Sequence, residues 1–328
     1  MSFVTQKFLL GVNDRTKLVA ANAYEATAKD LVWDCFGQIR DISGVGQEKI
    51  VAPIADDYLD FDVPEGYLEE STSYTFSITP TVNFASRSKS VLRSQYTDGP
   101  EGAEIMALFG RQMGIAFARA PEDLVISAIK SNIVTEWDNL ATFHASHLIH
   151  PKRPSQGTFS NIVTSVPIDY SVSAGTALTN LSKAIQKMYE VPAPNGKVSQ
   201  RLAPKYLVVP PALKKRALEL TAADFLGATG GSDDVRSIVA SNALTVKVLP
   251  ELAAAAPFNG SDTTYYLCAE WYGEIGTFVI GQKEAFELVL FTPMSDSHAD
   301  EQQKYNSRAR GRIGIAGGMP QYTFRCGA

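Results

Sequence analysis

The chain has 328 residues, is 45% hydrophobic and 20% charged, and carries a formal net charge of −5. That composition excludes a disordered chain, and the acidic balance excludes a dedicated nucleic-acid binder, which needs a basic stripe. It leaves open a protein that encloses nucleic acid without gripping it, and the length predicts two domains, because single cores stop growing at about 250–300 residues. Cys35, Cys268 and Cys326 have no metal-like spacing and are odd in number, so they read as buried thiols of a reducing compartment. Met1 to Lys17 lacks the apolar run and small-residue cleavage site of a secretory signal, and no window reaches the roughly 18 apolar residues of a membrane span. The expected setting is a cytoplasm, away from membranes.

In chain order, residues 1–47 read as an arm with one helix. Ala20, Ala21, Ala23, Ala26 and Ala28 favour helix, Leu31, Val32 and Phe36 extend its apolar stripe, and Gly44 and Gly46 end it. Lys49 to Ile54 predicts a short outgoing strand. Ser73 to Phe84 predicts one long returning strand, because Tyr74, Phe76, Ile78, Val82 and Phe84 alternate with polar residues at period two. Between them lies an acidic segment with a Pro64-Glu65-Gly66 turn signal. From Ile50 to Ser86 there is no Lys or Arg, while Asp56, Asp57, Asp60, Asp62, Glu65, Glu69 and Glu70 give a local charge of −7, leaving +2 for the remainder. Tyr58, Phe61 and Tyr67 stud the same segment. An acidic, aromatic hairpin on a near-neutral body is suited to a basic partner, and a second copy of the chain is the expected one. The base of the hairpin is itself basic, through Arg87, Lys89 and Arg93.

Asp98 to Glu101 resembles a capping box. Beyond it Ile105, Phe109, Met113, Phe117, Ala120, Leu124 and Ala128 recur at three- and four-residue spacing, one face of a helix. Pro121 predicts a kink or a fresh helix start there. Trp137 to Pro167 is loop-rich. Thr176 to Tyr189 predicts a second amphipathic helix with Leu178, Leu181, Ile185 and Met188 inward. Tyr206 to Val209 predicts a buried strand and Ala212 to Thr221 a third helix. Gly227 to Asp234 reads as a polar loop. Asn242 to Leu252, Tyr265 to Ala269, Gly276 to Ile280, Phe286 to Phe291 and Ile313 to Phe324 read as strands.

Candidate chemistry is sparse. Three of the four histidines, His144, His147 and His150, fall within seven residues. Side chains at i and i+3 of a helix can share a metal, which would make a metal-dependent hydrolase. Pro151 and Pro154 favour a loop instead, and no acidic residue close in sequence supplies a base or a fourth ligand, so polar loop or interface histidines are the expectation. Gly227 to Ser232 lacks a phosphate-loop lysine. No catalytic, cofactor or metal site is expected. Arg308, Arg310 and Arg312 alternate with small residues and point one way on a strand, toward a phosphate backbone or, as favoured here, a neighbour's acidic hairpin.

The order of parts, arm, long hairpin, long helix, central α/β portion and returning strand, resembles the major capsid proteins of tailed bacteriophages, the Hong Kong ninety-seven-like fold of α+β class. Leu202-Ala203-Pro204-Lys205-Tyr206-Leu207-Val208-Val209-Pro210-Pro211-Ala212-Leu213, with Ala217 and Leu220 beyond it, is similar to a segment of Mu-like head subunits. Asn242 to Leu252 and Phe143 to His147 follow the same likeness. The resemblance implies an N-terminal arm at 1–47 running along a neighbour and an extended E-loop at 48–90. It implies a peripheral P-domain at 91–164 and 286–328 with its spine helix near 98–134, and an axial A-domain at 165–285. It implies a self-assembling shell of hexamers and pentamers around double-stranded DNA, built in a bacterial cytoplasm and carried in the virion. Portal, scaffold or decoration proteins are its further partners. An encapsulin-like compartment of the same fold is the alternative. Some relatives cross-link through an E-loop lysine, which Ile50 to Ser86 lacks. Others begin with a long scaffold-like segment, so the short arm here implies separate scaffolding or none.

Overall fold

The computed structural model describes residues 3–43, 50–54, 74–92, 101–194, 196, 199–222, 225–226, 235–236, 244–271, 275–290 and 304–327. Helix α1 (Phe3–Ala28) opens the chain, a 3-10 turn follows at Trp33–Cys35, and β1 is Gly37–Asp41. The helix therefore does not extend through Val32 and Phe36. The Val32 N–H is taken by the Glu122 carboxylate at 2.6 Å, which turns the chain away from the helix axis. Val32, Cys35 and Phe36 are buried by this turn instead of forming a helical stripe.

The long helix α2 (Glu101–Ser131) has 31 residues, roughly 46 Å at 1.5 Å per residue. It runs unbroken through Pro121, so no new helix starts there. Met106, Phe109 and Met113 pack on Ala309, and Val125, Ile126 and Ile129 enter a second cluster with Phe36, Phe278 and Ile280. The arm helix α1 lies on α2 of its own chain, at a close crossing. A Cβ on Gly110 would stand 2.6 Å from the Thr16 carbonyl oxygen, and one on Gly114 would stand 2.2 Å from that of Ala20. The two glycines, four apart on one face, let the backbones touch. Gly114→Val is expected to separate α1 from α2 and cost about 1–3 kcal/mol, as overpacking does. Chemical denaturation checks this, and an unchanged midpoint would mean that the helices do not cross here.

Three long strands lie beside α2. They are β4 (Thr81–Leu92), β13 (Phe278–Leu290) and β14 (Lys304–Gly317), in the sheet order β1-β13-β14-β4. The expected single strand from Ser73 to Phe84 is in fact two. Its first part, β3 (Tyr74–Ile78), pairs with β2 (Ile50–Ile54), and β4 pairs with β14. The break falls at Thr79–Pro80, where proline has no N–H to offer a ladder. Gly276 to Ile280 and Phe286 to Phe291, expected as separate strands, join in β13, with register shifts between Gln282 and Glu287 absorbing the join. Ile313 to Phe324 divides the other way, into β14 and β15 (Thr323–Cys326), around a 3-10 turn at Pro320–Tyr322.

The remaining elements build a five-stranded sheet, with helices and separate short strand pairs beside it. They include β5 (His147–Leu148), β6 (Thr158–Phe159), β7 (Ile162–Val163), α3 (Ala174–Tyr189), β8 (Pro204–Val209) and α4 (Lys214–Ala222). They continue with the short pair β9 (Phe225–Leu226) and β10 (Val235–Arg236), then β11 (Thr245–Val248) and β12 (Tyr265–Ala269). The sheet order is β11-β8-β12-β15-β7. Leu178, Leu181, Ile185 and Met188 of α3 are all buried against it, as their spacing predicts. The returning strand β15 sits inside this sheet, and β13 runs across residue 285. Boundaries at 164/165 and 285/286 therefore cut through shared sheets. The Asp98 capping position and Gly227 to Asp234 lie outside the described residues.

Candidate assembly surface

The outer sheet carries the arginine row. Arg308, Arg310 and Arg312 occupy alternate positions of β14, so they share one face. Arg308 and Arg310 are exposed and Arg312 is half-buried. Across the ladder, Glu287 stands opposite Arg310 and Glu284 opposite Arg312. Arg310 Nη2 lies 2.7 Å from Glu287 Oε2, and Arg312 Nη1 lies 3.4 Å from Glu284 Oε1. Arg310 and Arg312 are thus ion-paired within the chain. Exposed pairs of this kind contribute about 0–1 kcal/mol each, so they set register and the charge pattern more than stability.

The basic residues at the base of the hairpin do not join this row. Arg87 stands opposite Ala309 and Lys89 opposite Ser307. Those partner positions alternate along β14 with the three arginines, and Ala309 and Ser307 are buried. Ile78, expected at an interface between subunits, is instead fully buried in this chain's own core with Trp137 and Val279. Tyr74 and Phe76 lie on β3. Asp56, Asp57, Tyr58, Asp60, Phe61, Asp62, Tyr67 and Arg93 lie outside the described residues.

The histidine cluster has a structural explanation. His147 and Asp138 are both fully buried, with Nδ1 2.8 Å from Asp138 Oδ2. Nε2 lies 3.1 Å from the Thr142 carbonyl oxygen. A carboxylate oxygen on one side and a carbonyl oxygen on the other hold the ring between two acceptors, which fixes its orientation in the loop. Burial pushes the Asp138 carboxyl up, but hydrogen bonds from His147 and from the Leu148 and Leu140 N–H groups outweigh it and hold it below the usual carboxylate range. Asn161 joins the network, donating to the Thr142 carbonyl at 2.7 Å and accepting from the His144 N–H at 2.9 Å. His144 Nδ1 accepts from the Ser146 N–H and His150 Nδ1 from the Lys152 N–H. Each ring has its own local partner, and among the described residues no group of three His, Cys, Asp or Glu is placed to hold a metal. The acidic partner that looked absent is Asp138, nine residues before His147 and invisible to a search of immediate neighbours. Cys35, Cys268 and Cys326 are buried and free, and burial pushes each thiol up. No described helix is long and apolar enough to cross a membrane.

A long helix flanked by long strands, joined to a five-stranded sheet, is the Hong Kong ninety-seven-like fold of tailed-phage major capsid proteins. The chain is similar to the mature capsid of bacteriophage PhiM1, with 13% identity over 90% of this chain and 86% of that one, at TM-score 0.52. It is similar to the capsid of cyanophage P-SCSP1u, with 11% identity over 90% and 88%, at TM-score 0.53. It is also similar to the capsid of cyanophage Pam1, with 12% identity over 89% and 88%, at TM-score 0.51. No curated protein matches the chain. The chain belongs to the family described as "Phage capsid protein", whose sequence model matches residues 102–324. It is a structural capsid subunit of the virion that associates with its own copies, and not an enzyme.

Proposed function

We propose that this chain is the major head subunit of a tailed phage and closes into hexamers and pentamers of an icosahedral shell around double-stranded DNA, assembled in the host cytoplasm. The observation that carries this reading is the family match across 102–324, spanning both α2 and the sheets. Residues 48–90 serve as the E-loop laid over an adjacent subunit, with α2 as the spine helix. The acidic, aromatic stretch from Asp56 to Glu70 meets basic positions of a neighbour, Arg308 among them. Each contact is weak, and repetition around closed symmetry makes the shell stable. The net charge of −5 suits a container whose DNA must be pushed in and released. Portal, scaffold and decoration proteins are the further partners of this reading.

Electron microscopy of the purified protein, with absorbance at 260 and 280 nm on the same fraction, tests it. Closed particles rich in nucleic acid are the expected result. Closed particles filled with protein would favour an encapsulin-like compartment. A monomer that stays dispersed even with its co-expressed neighbouring gene products would overturn the shell reading.

A further inference from the structure

A cavity of about 420 Å³ lies where the last turn of α2 meets the loop from Phe258 to Thr264. Its size is within the usual range for small-ligand pockets. One wall is apolar, from Ile129, Leu252 and Phe258, and Tyr266 lines it as well. Among the described residues, the charged ones lining it are Lys130 and Arg325, both cations.

Two carboxylates stand next in sequence to the lining, each with a partner outside it, though Glu251 Oε2 itself has none. Glu251 pairs with Arg119 at 2.7 Å, and Asp262 accepts the Ala254 N–H at 3.0 Å. Arg325 Nε is buried and has no hydrogen-bond partner, an arrangement that is costly for a charged donor. Lys130 donates one N–H to the Phe258 carbonyl at 2.8 Å and is otherwise exposed, with two more N–H groups to offer. The last carbonyls of α2, which would repel an anion, are partly engaged: Ala128 accepts from the Ile133 N–H and Ile129 from the Asn132 N–H.

The walls are held in place. A Cβ on Gly260 would stand 2.1 Å from the Leu252 carbonyl oxygen, and the Gly260 and Ser261 N–H groups each bond back to the turn at Pro250–Leu252 and its next residue, at 2.8 Å. Thr264 Oγ1 donates to Ser261 Oγ at 2.9 Å. Burial pushes the Tyr266 phenol up to about 12 against the pull of Arg325, so the ring keeps its proton.

We propose that this cavity is a binding site for an organic anion, a carboxylate or phosphate carried on an aromatic or apolar body. The anionic group sits between Lys130 and Arg325, and its body lies against Phe258, Leu252 and Ile129. Two sources supply that chemistry: a free small molecule, or an acidic side chain beside an aromatic one in a second copy, such as the Asp57-Tyr58 and Asp60-Phe61 pairs. That an organic anion binds here rests on the cavity alone, whereas the choice between the two sources rests on the shell reading.

The test is isothermal titration of phenyl phosphate into dissociated subunits of the full chain and into assembled particles, with toluene as the uncharged control. Saturable binding is expected, weakened about tenfold or more by Lys130→Met and by Arg325→Met, as loss of a charged hydrogen bond implies. Lys130 is exposed, so its variant keeps the wild-type melting temperature, and Arg325→Lys, which keeps the charge, recovers part of the affinity. Binding to particles assigns a free ligand. Binding to dissociated subunits alone assigns the site to a side chain of a second copy. Absence of binding to either form, or binding that both Met variants leave unchanged, would overturn the proposal.

Discussion

Asp138→Ala is expected to cost the subunit about 3–5 kcal/mol, because it leaves the buried His147 Nδ1 without the carboxylate that partners it. The variant also strips the Leu148, Leu140 and Thr135 donors of their shared acceptor, which now sits 3.0, 3.2 and 3.0 Å away. Asp138→Asn keeps an oxygen for some of these bonds and loses less. Urea denaturation measures the difference, and a loss under about 1 kcal/mol would mean the pair is not a structural keystone. The pH dependence follows from the direction of the shift. The folded-state carboxyl of Asp138 is held below its ordinary value, so its contribution is fully present above the unfolded value, near about 3.9. It is lost as pH falls from there through the folded value. Wild-type stability should therefore drop in acid by more than that of Asp138→Ala, which has no such carboxyl to protonate.

Reversing Asp57, Asp60 and Asp62 to lysine together should leave a folded subunit that no longer assembles. The change takes the stretch from Ile50 to Ser86 from −7 to −1. Like charges brought face to face across an interface cost several kcal/mol, so the particle yield should fall about tenfold or more. Far-UV circular dichroism reports the fold and sedimentation reports the particles. If Arg308 is the partner, adding Arg308→Glu should restore part of the yield. Normal particles from the triple variant would remove the acidic segment from the list of interfaces.

The same two cases separate what local sequence records from what it leaves out. The acidic stretch is plain from its composition, since charge needs no partner to be counted. His144, His147 and His150 are equally plain as a cluster, yet their meaning lay in Asp138, Thr142 and Asn161, which reach them only when the loop closes. Glu284 and Glu287 do not stand out in the sequence, although they pair with Arg312 and Arg310 of the arginine row. Finding them requires the register of β13 on β14.

By itself the sequence determined the elements that carry their own period: the apolar face of α2, the inward side of α3, the strand at β8 and the alternating arginines of β14. A helix or strand records its buried face at a spacing of three, four or two residues, and that record is local. Only the tertiary structure decided the partners. It split the Ser73 to Phe84 run at Pro80, joined two predicted strands in β13, and placed β15 in the central sheet. It also buried Ile78 and laid α1 on its own α2 through Gly110 and Gly114. Those outcomes depend on contacts between segments far apart in the chain, where one ladder or one close crossing competes with another, and no local spacing encodes which wins.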